Sequence, residues 1–555
     1  MTDTTDALPG PVPEAVPAER DDTELGERAF LVGVGFCTAG VAAFLSARLM
    51  AWRPHEDEAL VLFVSRDSLG GLFHTVLDER GGAPLHFLLS WLVVQAGGGL
   101  TGLRIISATF AVASVPLVAA LGARLAGRAV ALAATVLVSA SWMLLFHGVY
   151  GRMYSLFLFT STLSFLALLR ALRRATAADW TLWALATLLV VASHPYGALV
   201  LAAQGVFVLM TRERLRQAVV AFAGLSVVAI PFWRTDLVLA GRFDVGVGGG
   251  GETLGSPGAV LRYLKDVAGD FTAGYTAVVT VVLLLALAGL VRLSRERPRS
   301  AVLAACAIGT PAAAFLLARL GHSTSPESRH LIFTLPFFSV LVATGIVWVA
   351  RQLPGRGAAL VLATLGCLLA TEIAWGRHNT PDLYRGEPAP RVAARHEASA
   401  WLARTSRADD VLFGYDPLFL EAWERGGAVT RSVVPRADSR LALRRLESLP
   451  RPLGRGVWVF DASDATNADQ TLTIPLRRPR PQQAYEARRF GPFLIVRTRR
   501  PTRTVRRYLW LARNAELLGE SLEIGDADVN LATVLSATRS YERERLAASR
   551  SSVSR

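Results

Sequence analysis

Lysine is nearly absent from this chain: Lys265 is the only one in 555 residues, although the net charge is +14. The basic excess is therefore arginine, much of it in short loops between apolar runs. No module of basic residues interleaved with aromatics accompanies it, which removes nucleic acid as an expected partner. Cysteine is scarce too. Cys37, Cys306 and Cys367 each lie inside an apolar segment, so neither a disulfide framework nor a cysteine metal site is expected. No His, Asp or Glu spacing marks a metal site either, so no cofactor is expected and a divalent ion has no support. Charge of any sign is low: 19% of residues, against about a quarter in soluble proteins.

What is present is apolar. Hydrophobic residues make up 52% of the chain and the mean hydropathy is +0.36, the composition of a membrane protein with soluble additions. Residues 1–28 contain PGPVPEAVPAERDD and lack a basic n-region, so they read as a disordered cytoplasmic tail and not as a signal peptide. Apolar segments then follow one another, each close to the roughly 20 residues a spanning helix needs. Eleven spans are expected between Ala29 and Trp375, giving an α-helical polytopic membrane domain over 29–375.

One short run, Pro84–Gln95 (PLHFLLSWLVVQ), decides the topology. If it lies along the interface, five short arginine-bearing loops share one side. They hold Arg124 and Arg128; Arg170, Arg173 and Arg174; Arg212, Arg214 and Arg216; Arg292, Arg295, Arg297 and Arg299; and Arg351 and Arg356. The positive-inside rule makes that side cytoplasmic. The amino end is then inside, the carboxy end is outside, and 51–102 forms a long first outer loop. A Gly-rich outer loop over 234–276 ends in the amphipathic LRYLKDVAGDF and reads as a mobile lid. Beyond Trp375 the composition turns polar. Helix-like RVAARHEASAWLART precedes strand-like DDVLFGY, and SRLALRRLESL precedes GVWVFDA, so 376–525 reads as a small extracytoplasmic α/β domain for structure or acceptor docking. Residues 526–555 read as a disordered tail.

The chemistry is expected around His55–Glu58, where four polar residues crowd against the end of the first span. Carboxylates are costly near lipid and rare there without a task. Asp57 and Glu58 are the candidate catalytic acids. Arg152, Arg329, His330 and Lys265 are candidates for a phosphate, and Tyr150, Tyr154 and His194 for substrate. On this topology they all lie on the outer face. Each also has a plainer explanation: Arg152 anchoring at headgroups, Tyr154 in an aromatic belt, His194 ending a span before Pro195, and Lys265 touching anionic lipid. A carboxylate that takes a proton from an attacking hydroxyl, beside cations that neutralise a departing phosphate, suits group transfer from a lipid phosphate.

The ordered set of an acidic pair after the first span, PLHFLL, LRIISATF, GRMYSLFLF and SRHLIFTLPF resembles the GT-C superfamily. Within it, the likeness is to the dolichyl-phosphate-mannose mannosyltransferase-like branch that includes the aminoarabinose transferases. The resemblance covers roughly residues 29–375. It implies an inverting glycosyltransferase with a polyprenyl-phosphate sugar donor, mannose by the nearest relatives, and an acceptor that is a glycan, lipid or protein. It implies Asp57 as the catalytic acid of the first loop, Arg152 as the signature arginine and Arg329 as the arginine opening a late span. One departure stands out: Tyr150 occupies the position, two before the signature arginine, where relatives often carry a second acid. Glu58, Asp78 and Glu79 are the candidates to replace it. A transporter or flippase of lipid-linked sugars is the alternative, but it would show internal repeats and charges near the bilayer midplane, and neither is seen.

Overall fold

A computed structural model describes residues 25–242, 256–320, 328–353, 355–430, 432–436, 438–462, 484–521 and 527–553. The first helix, α1 (Glu27–Arg48), leads into three juxtamembrane helices: α2 (Glu56–Ser65), α3 (Leu69–His74), which continues as a π-helical turn over Thr75–Arg80, and α4 (Pro84–Gln95). At 12 residues α4 is about 18 Å long, too short to cross a bilayer. It packs against α2 instead. The membrane body continues with α5 (Leu100–Ala126), α6 (Arg128–Ala140), α7 (Trp142–Val149), α8 (Tyr154–Arg174), α9 (Ala177–Ser193), α10 (Gly197–Thr211), α11 (Leu215–Val228) and α12 (Ile230–Arg242). After α13 (Pro257–Thr272) come α14 (Thr276–Glu296), α15 (Pro298–Leu320), a 3₁₀ turn over Ser328–Thr334, α16 (Leu335–Arg351) and α17 (Gly357–Asn379).

Every expected span falls on helix, and the helices differ in length and straightness. Among the described residues, six helices are long and apolar enough to cross a membrane, or eight if each of two bent pairs is one span. The bends are 50° between α6 and α7 and 61° between α11 and α12. The other expected spans are α9 and α10, only 17 and 15 residues long, and α15, which carries Pro311 inside it.

The carboxy-terminal part is α/β. Helices α18 (Pro381–Arg385), α19 (Ala389–Thr405), α20 (Pro417–Glu424) and α21 (Ser439–Ser448) surround five strands. These are β1 (Val411–Phe413), β2 (Val433–Val434), β3 (Gly456–Asp461), β4 (Tyr485–Phe490) and β5 (Phe493–Thr498), in the order β2-β1-β3-β5-β4. The three strands on the β2 side are parallel, while β5 runs antiparallel to both β3 and β4. Strands β1 and β5 are buried along their whole length, which is why they read as continuous apolar runs. The stretch expected to be a disordered tail, 526–555, is instead helical over α23 (Ala527–Val553). It packs on α22 (Val505–Ser521), and Val534 and Ala537 enter the same buried cluster as Tyr508 and Leu511. A polar, Ser- and Arg-rich composition hid that apolar spacing. The expected disorder of 1–24 and the Gly-rich part of the 234–276 loop, 243–255, lie outside the described residues.

The two parts share a core. Leu62 and Phe63 of α2 and Phe87 of α4 cluster with Trp401, Leu418 and Trp423 of the α/β domain, and the Phe63 and Trp423 ring centroids are 4.4 Å apart. Polar contacts pin the same face: Glu56 Oε1 accepts from the Tyr415 backbone N–H at 3.0 Å, and Arg80 donates to the Tyr415 hydroxyl at 2.9 Å. The α/β domain therefore sits on the side of the membrane body that carries Asp57.

Candidate active site

The site begins with a helix start. His55 caps α2 by accepting the Asp57 N–H on Nδ1 at 3.1 Å, and the Glu58 carboxylate returns to the His55 N–H at 3.1 Å. This reciprocal capping satisfies two of the unpaired N–H groups at the helix start and favours acids in the first turn. It also sends neighbouring carboxylates in different directions. Glu58 turns inward and is fully buried; Asp57 keeps about a third of its side chain exposed.

Glu58 is thereby placed apart from the expected catalytic role. Its two oxygens accept from Arg104 Nε and a terminal nitrogen, both at 2.8 Å, and from the Gly151 N–H at 2.8 Å. Arg104 spends its remaining donors on the carbonyls of Leu49, Trp52 and Arg53. This buried bidentate pair ties α2, the end of the first span and α5 together. Gly151 is required at its position, because a Cβ there would lie 2.9 Å from Leu103 and 3.0 Å from the Glu58 carboxylate.

Asp57 meets the residues after α7. The Tyr150 hydroxyl donates to Asp57 Oδ2 at 2.9 Å and lies 3.0 Å from His55 Nδ1. Arg152 Nε stands 3.8 Å from the same carboxylate oxygen. An aromatic ladder along α7 holds Tyr150 in place: Trp142 stacks on Phe146, and Phe146 on Tyr150, at centroid distances of 5.5 and 5.4 Å. The bend before Trp142 aims that ladder at α2. Burial alone would raise the Asp57 pKa, but the charges of Arg152 and Arg329 and the Tyr150 hydrogen bond outweigh it, holding the carboxyl well below the usual range. Burial and then the Asp57 charge push the Tyr150 phenol far up, so it stays protonated and donates.

A second group of rings adjoins the first. Tyr154 opens α8, and Arg329 sits over its ring at 5.6 Å. His194 is stacked on Phe157 at 4.5 Å and lies 5.5 Å from the His330 ring, while His330 is 4.8 Å from Tyr196. The structure therefore brings Tyr154, His194, Arg329 and His330 together beside the Asp57–Tyr150–Arg152 group. It does not bring Lys265 there: that side chain is exposed on α13. Asp78 and Glu79 are likewise taken up elsewhere, with Arg234 and Arg445.

Several residues escaped the sequence reading. His55 was visible in the same acidic stretch, as the cap. His86 lies in the PLHFLL stretch; it is 1% exposed, neither ring nitrogen has a hydrogen-bond partner among the described residues, and burial, then Arg152, pushes it down to about 3. His147, one turn before Tyr150, lies 4.6 Å from the Tyr154 ring, and its Nδ1 has no hydrogen-bond partner among the described residues. Histidines on apolar helices give no sequence signal beyond their rarity. Among the described residues no group of three or more His, Cys, Asp or Glu side chains could hold a metal ion.

The fold defines a class: a multi-pass helical membrane body with a small α/β domain on the face of the first large loop, the fold of the solved structures it resembles. In particular, the chain is similar to the apo crystal structure of ArnT from Cupriavidus metallidurans, with TM-score 0.53, 14% identity, and coverage of 84% of this chain and 98% of that one. ArnT bound to undecaprenyl phosphate gives TM-score 0.50 at 14% identity, covering 84% of this chain and 97% of that one. The apo oligosaccharyltransferase of Archaeoglobus fulgidus gives 0.52 at 12% identity, covering 83% and 73%. No protein-family model matches the sequence, and no curated protein does.

Proposed function

We propose that this protein is an inverting glycosyltransferase that moves a sugar from a polyprenyl-phosphate donor to an acceptor hydroxyl at the outer face of the cell membrane. The observation that carries the reading is the Asp57 carboxylate, partly open to solvent and 3.8 Å from the Arg152 guanidinium. Asp57 takes the proton of the acceptor hydroxyl as its oxygen attacks the anomeric carbon. The bond from that carbon to the phosphate oxygen breaks, and the phosphate leaves with the electron pair. Arg152 and Arg329 neutralise its charge. A carboxylate held so acidic is a weak base while Arg152 faces it; a donor phosphate that draws Arg152 away strengthens the base when it is needed. In this reading the rings of His86 and His194, each with a nitrogen lacking a hydrogen-bond partner among the described residues, contact phosphate or sugar oxygens.

The ArnT structure with undecaprenyl phosphate supports a lipid-phosphate donor, and the arginine-bearing loops support an outer-face site. Mannose as the sugar rests on the sequence resemblance. The acceptor is a glycan, lipid or protein bound between the membrane body and the α/β domain. The test is transfer from radiolabelled polyprenyl-phosphate sugars by membranes holding wild type or Asp57→Asn. Loss of transfer at equal protein level is expected; full activity in the variant removes the proposal.

A further inference from the structure

A cavity of about 360 Å³ opens at the end of the helix bundle opposite the Asp57 site, between the ends of α5 and α8 and the start of α15. Helix α8 links the two places: it starts at Tyr154 and ends at Arg174, and 21 residues span about 30 Å. Four arginines line the cavity, Arg124, Arg170, Arg173 and Arg299, together with Ser300 and the apolar side chains of Leu125, Leu169 and Leu303. Two of these cations have local carboxylates. Arg170 Nε pairs with Asp179, which Thr176 also holds, and Arg299 pairs with Glu213. The other two have none among the described residues. Arg124 donates only to the Leu166 carbonyl, at 3.3 Å, and Arg173 forms no ion pair.

The cavity thus carries an uncompensated charge of about two, in a space large enough for a headgroup, at the depth where a helix bundle leaves the bilayer. Unmatched guanidinium groups that converge on one space select a phosphate, whose oxygens accept their fork of donors. The three leucines beside them select an acyl chain attached to it. We propose that this cavity binds the phosphodiester headgroup of an anionic phospholipid from the leaflet opposite the active site. Arg124 and Arg173 contact the phosphate, while the leucines hold the first methylenes of the chains. The proposal needs only that the bundle spans a membrane and is independent of the reaction proposed above.

The test is thermal unfolding of the detergent-purified protein with added phosphatidylglycerol, phosphatidylcholine or inorganic phosphate. Phosphatidylglycerol is expected to raise Tm by several degrees in wild type and by less than a third as much in Arg124→Gln/Arg173→Gln. Phosphatidylcholine and inorganic phosphate are expected to do little. Ser300→Glu, which sets a carboxylate in the cavity without touching the arginines, is expected to lose the response as well. An undiminished response in both variants overturns the site. A response to inorganic phosphate equal to that of phosphatidylglycerol overturns the assignment to a lipid.

Discussion

The Tyr150 hydroxyl donates a 2.9 Å hydrogen bond to Asp57. A neutral donor therefore stands beside the proposed base. It adds no like-charge repulsion and leaves Arg152 facing a single carboxylate. Tyr150→Phe is expected to lower kcat roughly tenfold, the scale of one hydrogen bond to a charged group, with little change in protein level. Unchanged kcat in sugar-transfer assays would show that this bond only packs the turn.

The pH dependence of transfer follows from the sign of the Asp57 shift. Its pKa is lowered in the folded protein, so the carboxylate stays ionised as pH falls through the ordinary carboxylate range. The stability that this ionisation contributes is present above the unfolded pKa, about 4. It is lost only as pH falls through the still lower folded value. Replacing Arg152 with Met removes the largest of the lowering influences, and burial then pushes the carboxyl up. The variant is expected to show an acid limb in kcat/KM at higher pH than wild type. Superimposable pH profiles would refute the assignment of Arg152 as the cation that controls Asp57.

Glu58 and Arg104 predict a stability effect and not a chemical one. Glu58→Gln or Arg104→Met leaves one buried charge without its partner, which costs about 3–5 kcal/mol. Both variants are expected to lose several degrees of Tm in detergent and much of their steady-state level. The double variant Glu58→Gln/Arg104→Met should lose less than the two single effects summed. Strict additivity in the unfolding measurement would mean that the pair is not coupled.

Sidedness is open to chemical labelling. In a background with the three native cysteines replaced, Lys265→Cys and Arg216→Cys both sit at exposed positions. A membrane-impermeant maleimide on intact cells is expected to reach the first and not the second. Equal labelling of both, or the reverse pattern, would invert the topology and with it the outer-face site.

Much of this architecture was written along the chain. Low charge, long apolar runs and arginine-bearing loops name a polytopic membrane protein, because lipid leaves few alternatives to a helix. The period of about 20 residues placed helices under every expected span. Bends escaped that reading: nothing local at Ser141 reports that the chain turns there, and although Pro231 marks a break just after Ala229, the angle is set by what each half packs against. Strand β4, YEARRF, escaped for a related reason: its side chains face solvent at several positions, so it lacks the apolar signature of its neighbours.

The site was legible in part. His55, Asp57 and Glu58 lie within four consecutive positions, so the sequence by itself determined that carboxylates stand at the end of the first span. It could not say which of the two would face the cavity. That choice belongs to the tertiary structure, because Arg104, 46 residues further along, claims Glu58 for a buried pair. In the same way Lys265 has the right charge but lies on an exposed face, while the buried rings of His86 and His147 lie beside the site. Composition and periodicity report what a segment prefers; only packing between distant segments decides which polar atoms meet.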